Sequence, residues 1–135
     1  MIVDASVALA WCFEDEASPY TEAALDEVVR NGARVPALWI FEMANVLAMA
    51  ERRGRLDTDR VARFLDAMLA LPVRVDSREA ASLAPALVRI ARAQQLTAYD
   101  ASYLELAMRR GLPLATRDVA LRTSADRMGV VLFDG

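Results

Sequence analysis

The chain has 135 residues, a net charge of −3 and a pI near 5.0; that length suits one domain with its own core and is short for two. It contains no histidine and no lysine, so all 16 basic residues are arginine. This excludes histidine bases, Cys-His and Ser-His-Asp systems, histidine metal sites, lysine-bearing phosphate loops and Schiff bases, and the acidic balance argues against a general nucleic-acid coat.

The first expected strand is Ile2–Asp4, an apolar β-type run that ends on a carboxylate. A short helix, Val7–Cys12, follows at once, so Asp4 reads equally as its N-cap or as one wall of a site; Ser6 can bond a backbone N–H at the same helix start. Cys12 is the only cysteine, which rules out an internal disulfide and fits a reducing cytoplasm. No basic leader with an apolar region and cleavage site opens the sequence, so export is not expected. Pro19–Asn31 reads as a helix that begins on proline and stops at Gly32, and Arg34–Val35 reads as a second strand.

Leu38–Arg53 is a helix stopping at Gly54, with the sequence LWIFEMANVLAMA at its heart. Its apolar stretch contains Glu42 and Asn45 and is too short to span a bilayer. Apolar residues surround Glu42 on nearly every side, so the helix is expected to be buried and the acid to need compensation; the ordinary readings are a salt bridge to an arginine or a face that happens to be wet. Asn45, three residues later, shares its face. Trp39 and Phe41, like Trp11 earlier, could stack bases or line a partner groove, but at helical spacing among alanines and leucines core packing is the better reading. Asp57 caps a helix over Thr58–Leu71 that Pro72 closes, and Val73–Val75 is the third strand. Arg78–Gln94 is helical with a kink or break expected at Pro85.

Next comes QLTAYDASYLELAMRRG, a helix over Tyr99–Arg110. Thr97 and Asp100 have capping-box spacing, yet the apolar positions that follow place Asp100 at the buried end of a core helix. Leu114–Thr116 is the fourth strand, Asp118 caps Val119–Met128, and Val130–Phe133 is the fifth strand. Alternating strands and helices indicate a three-layer α/β/α fold with a mainly parallel central sheet of about five strands, in a single domain spanning 1–135. Such folds place sites beyond the carboxyl ends of the strands, the edge on which both Asp4 and Asp118 fall.

Each acid alone has an ordinary reading as cap or salt bridge; four acids from four segments are a stronger signal. Two unit charges about 4 Å apart repel by about 4 kcal/mol at an effective dielectric near 20, so converging carboxylates must take up protons or share a cation. Oxygen-only ligation selects a hard ion, Mg²⁺ or Mn²⁺.

In MIVDAS, FEMANVL, TAYDASYLELA and LATRD, taken in that order and spacing, the chain resembles the PIN-domain ribonucleases and, within them, the VapC toxins of toxin–antitoxin pairs. The resemblance covers essentially the whole chain. It implies Asp4, Glu42, Asp100 and Asp118 as the catalytic acidic quartet, Ser6, Asn45 and Thr116 as polar supports, and Asp4, Asp100 and Asp118 as ligands of Mg²⁺ or Mn²⁺, direct or through water. Ala120 stands where some relatives carry a further acid, which makes a second metal less expected. The implied activity is endoribonuclease cleavage of structured RNA, often tRNA or ribosomal RNA, by a cytoplasmic homodimer held inactive by a VapB-like antitoxin; the apolar share of 56% is compatible with such interfaces. Arg117, Arg109 and Arg110 are candidate RNA contacts, with Arg52, Arg53 and Arg55 as a second cluster; each also reads as a solvated or helix-end charge. A receiver-like domain lacks its lysine and acidic pair here, and a D-x-D phosphatase lacks its second aspartate at Ser6. The remaining alternative is a non-catalytic α/β module that binds protein or RNA and uses its acids as caps and salt bridges.

Overall fold

Four short parallel strands run through the middle of the molecule: β1 (Ile2–Val3), β2 (Ala33–Val35), β3 (Val73–Val75) and β4 (Leu114–Ala115). The computed structural model describes residues 1–135, the side chain of Ala80 excepted. Spatial order is β3-β2-β1-β4, all pairs parallel, with Ile2 opposite both Arg34 and Leu114, Val3 opposite Ala115, and Arg34 opposite Arg74. The chain therefore starts in the centre, builds outward through β2 and β3, then returns to place β4 on the other side of β1. Strand order reverses beside β1, and a crevice opens there at the carboxyl ends. Strands β1 and β4 are buried at every residue, which is why they read as unbroken apolar pairs with no alternation.

Seven α-helices flank the sheet: α1 (Ala5–Ala10), α2 (Pro19–Asn31), α3 (Leu38–Arg52), α4 (Thr58–Ala70), α5 (Ala80–Gln94), α6 (Ala98–Arg110) and α7 (Val119–Arg127), with a 3-10 turn at Glu14–Glu16. The central helix is α6, which packs against α5, α7, β1 and β4 and buries Ala101 and every residue from Tyr103 to Ala107. By contrast, α3 buries a single stripe, Trp39, Met43, Leu47 and Ala50, at the spacing of one helical face. The expectation of burial all round is corrected here: Phe41 is 71% exposed, because its direction lies opposite that stripe. Trp39 is core as expected.

Two further expectations need correction. Val130–Phe133 is not a fifth strand. It adds one parallel bridge, Leu114 with Leu132, through Leu114 N–H to the Val131 carbonyl at 2.9 Å and Phe133 N–H to the Leu114 carbonyl at 2.9 Å. A two-residue β4 offers no longer ladder to join. Nor does Pro85 break its helix, since α5 runs through it. The helix begins at Ala80, so Pro85 lies in its second turn and only one early carbonyl forfeits a partner.

Gly32 closes α2 at φ +74°, and a Cβ there would meet the Pro72 carbonyl oxygen at 2.8 Å. That close approach lets Ala33 N–H reach the same carbonyl at 3.1 Å, which docks β2 against β3. No described helix is long and apolar enough to cross a membrane.

Candidate active site

Asp4 follows β1 directly and is buried. It caps α1 through Ser6 N–H to Oδ1 at 3.3 Å, so the capping role expected of it is real. Its Oδ2 also accepts from two hydroxyls, Ser6 Oγ at 2.6 Å and Thr116 Oγ1 at 2.6 Å. The second bond crosses from β1 to the end of β4 and closes the crevice where strand order reverses. Thr116 is fully buried; its Oγ1 accepts the Asp118 N–H at 3.1 Å, and its own N–H donates to Tyr20 Oη at 3.0 Å. Ser6 Oγ in turn accepts Arg117 N–H at 3.2 Å. Two small hydroxyls thus tie the strand ends carrying Asp4 and Asp118 into one unit.

Asp118 caps α7, its Oδ1 accepting Leu121 N–H at 2.7 Å, and the residue is exposed. Asp100 sits in the first turn of α6. Its N–H donates to Thr97 Oγ1 at 3.0 Å, and Thr97 Oγ1–H donates back to Asp100 Oδ2 at 2.8 Å. This is a capping box closed hydroxyl to carboxylate rather than through the cap's own N–H. Glu42 projects half-buried from α3, and Asn45 follows it one turn on, exposed. No arginine compensates Glu42. Its Oε2 accepts instead from the hydroxyl of Tyr103, a side chain with 0% exposure at the centre of α6.

One cleft of about 380 Å³ is lined by Asp4, Glu42, Asn45, Asp100 and Asp118, together with Ser6. Four elements that are distant in sequence deliver these side chains to the carboxyl edge of the sheet. The electrostatics agree with their closeness. Burial lifts the Glu42 carboxyl above its usual range, the Tyr103 hydrogen bond opposes, and Asp4 and Asp100 push it up further. Asp100 is likewise raised by burial, against Thr97, with Asp118 and Asp4 adding to the rise. Asp4 has both oxygens held by protein donors, and the other three acids have one each. Glu42 Oε1, Asp100 Oδ1 and Asp118 Oδ2 take no hydrogen bond from the described residues. As placed, no three acids among the described residues form a ready-made metal cage. The donor set itself is all oxygen, with neighbouring carboxylates that push Glu42 and Asp100 up, and that chemistry fits a hard dication.

The arginines divide. Arg117 borders the cleft: its Nη1 bonds Glu16 at 3.0 Å and the Ser6 carbonyl at 3.4 Å. Arg109 and Arg110 do not. The Arg109 guanidinium binds Asp76 at 2.7 Å and Glu105 at 2.8 Å, and Arg110 binds Asp76 at 2.8 Å. The Asp76 carboxylate, just after β3, holds both. Arg55 is similarly committed to Asp15 and Glu16 and lies 3.8 Å above the Phe13 ring centroid.

A PIN domain model matches residues 1–126. The chain belongs to the PIN domain family. PIN domains are generally nucleases, and they generally use divalent metals. Among solved structures, the chain is similar to PAE2754 from Pyrobaculum aerophilum, at 29% identity and a TM-score of 0.70, covering 91% of this chain and 84% of that one. It also shares its fold with FitAcB from Neisseria gonorrhoeae, at 16% identity and a TM-score of 0.67, covering 98% and 96%. No curated protein matches it. The PIN fold accounts for the parallel sheet flanked by helices.

Sequence reasoning missed Tyr103 and Tyr20. Tyr103 lies three residues after Asp100 on the same helix, and a tyrosine inside an apolar stretch needs a partner for its hydroxyl. That signal was present, although the partner's identity was not.

Proposed function

We propose that this PIN domain, a single domain over residues 1–135, is a Mg²⁺- or Mn²⁺-dependent endoribonuclease and the VapC-like toxin of a toxin–antitoxin pair. The observation that carries this reading is the arrangement of four acids in one cleft, each anchored by protein donors, with one oxygen of Glu42, Asp100 and Asp118 uncommitted. Capping explains the anchored oxygens of Asp100 and Asp118 and Oδ1 of Asp4. It does not explain Glu42, which caps nothing and meets no arginine. For that reason the non-catalytic alternative is the weaker one.

Asp4, Asp100 and Asp118 would hold the dication, directly or through water. When bound, it supplies an activated water and neutralises charge on the scissile phosphate. Ser6 and Thr116 hold Asp4 in place. Glu42, its pKa raised, orients the attacking water and is the better base for it, while Tyr103 fixes its carboxylate. Asn45 supports the same face. Arg117 meets the RNA backbone at the cleft's edge. Attack by water breaks the bond from phosphorus to the 3′-oxygen and leaves a 5′-phosphate and a 3′-hydroxyl. A route through the RNA 2′-hydroxyl with histidine acid and base is closed to a chain without histidine. We further propose a structured RNA such as tRNA or ribosomal RNA as substrate, a cytoplasmic homodimer as the working form, and a VapB-like antitoxin as partner.

The test is incubation of the purified protein with total RNA and Mn²⁺. Discrete cleavage that disappears with chelator and in both Asp4→Asn and Asp100→Asn is expected. Cleavage that persists in the substituted proteins would refute the assignment.

A further inference from the structure

The acids account for one edge of the sheet. At the opposite edge, where the strands begin, lies a second and larger cleft of about 520 Å³, whose lining includes Arg30, Arg34, Arg74, Val29, Pro72 and Leu112 and no acidic side chain. The charges are placed unusually. Arg34 and Arg74 are register partners on β2 and β3, so both side chains leave the same face of the sheet side by side. Like charges directly opposite one another in a ladder are destabilising. Neither guanidinium has a carboxylate within ion-pair distance among the described residues, whereas Arg109 and Arg110 share Asp76. Arg30 arrives from the last turn of α2. Its Nε donates to the Asp26 carbonyl at 3.1 Å, which orients the fork. Glu27 makes no ion pair with it: its Oε1 accepts from Asn31 at 2.9 Å, and its charge acts on the Met1 amino group at the cleft's edge.

We propose that this cleft is a binding site for a phosphate-bearing ligand of mononucleotide size, separate from the acidic cleft. An anion between Arg34 and Arg74 relieves their repulsion and takes paired N–H donors from planar guanidiniums, the geometry that suits phosphate oxygens. Val29, Pro72 and Leu112 form the apolar side, suited to the ribose and base. The phosphate belongs either to a free nucleotide or to the 5′-end of an RNA, and these present the same chemistry to the arginines.

The experiment is amide NMR titration of the full chain in chelator, so that no RNA is cut, with AMP, adenosine, and a short 5′-phosphorylated oligoribonucleotide. AMP is expected to shift Gly32, Ala33 and Arg74, and adenosine is not. Arg34→Gln/Arg74→Gln should weaken AMP by at least about tenfold, and Arg63→Gln, exposed on α4, should leave it unchanged. Arg74 is exposed, so Arg74→Gln alone keeps the fold and should show part of the loss. Tighter binding of the oligonucleotide than of AMP assigns the cleft to an RNA end; equal binding assigns it to a free nucleotide. Absence of binding by both, adenosine binding as well as AMP, or undiminished binding in the folded arginine variants would overturn the proposal.

Discussion

Asp76→Asn gives the sharpest quantitative test of the packing. Asp76 follows β3 with its side chain 5% exposed and is gripped by Arg109 at 2.7 Å and Arg110 at 2.8 Å. The Arg109 hydrogen bond, opposed by burial and aided by Arg110, holds its pKa down from 3.8 to about 2. A carboxyl whose folded pKa lies below its unfolded one stabilises the fold above the unfolded value and loses that contribution as pH falls through the folded value. A shift of just under two units corresponds to about 2 kcal/mol at neutral pH, of which about half remains near pH 3. Asparagine removes the charge and keeps the volume, while Arg109 retains Glu105. Urea unfolding of both proteins from pH 7 down to pH 3 should therefore show a difference of about 2 kcal/mol that is flat above pH 5 and narrows below it. A difference that stays constant through pH 4 to 3, or is already absent at pH 7, would show that the pair is too well solvated to matter.

Three further outcomes are expected. Tyr103→Phe deletes one buried hydroxyl and should cost about 1–2 kcal/mol in urea unfolding, with a larger loss of RNA cleavage than of stability if Glu42 orients the water; unchanged cleavage would remove Tyr103 from the site. Mn²⁺ at about a hundred times its dissociation constant should stabilise the protein by about 2.7 kcal/mol by mass action, read as a rise in melting temperature that Asp4→Asn abolishes; an ion-independent melting curve argues against a shared cation site. Gly32→Ala should destabilise by about 1–3 kcal/mol, since its backbone is left-handed and its Cβ would strike Pro72; an unchanged denaturation midpoint would contradict the close docking of β2 on β3.

Much of the architecture was legible because it rests on local rules. Pro19, Gly32, Asp57, Asp118 and Gly111 mark helix ends in the structure as in the sequence. Alternation of strand and helix correctly implied a parallel sheet. Failures arose where a neighbour decides. Val130–Phe133 has the composition of a strand, but a strand needs a partner long enough to pair with, and β4 has two residues. Phe41 has the composition of core, but only one face of α3 has anything to pack against. Arg109 and Arg110 read as free charges at a helix end, and Asp76, more than thirty residues earlier, claims both.

The sequence by itself determined the inventory of chemistry. A chain without histidine, lysine or a second cysteine can assemble a reactive site only from carboxylates, hydroxyls and arginine, and the local capping roles of Asp4, Asp100 and Asp118 follow from their neighbours. Only the tertiary structure decided that Asp4, Glu42, Asp100 and Asp118 face one cleft, that a buried tyrosine rather than an arginine holds Glu42, and that Arg34 and Arg74 stand side by side. The physical reason is that capping is a contact within three residues, whereas which charges meet depends on strand order and register, and these are set by how the whole core packs.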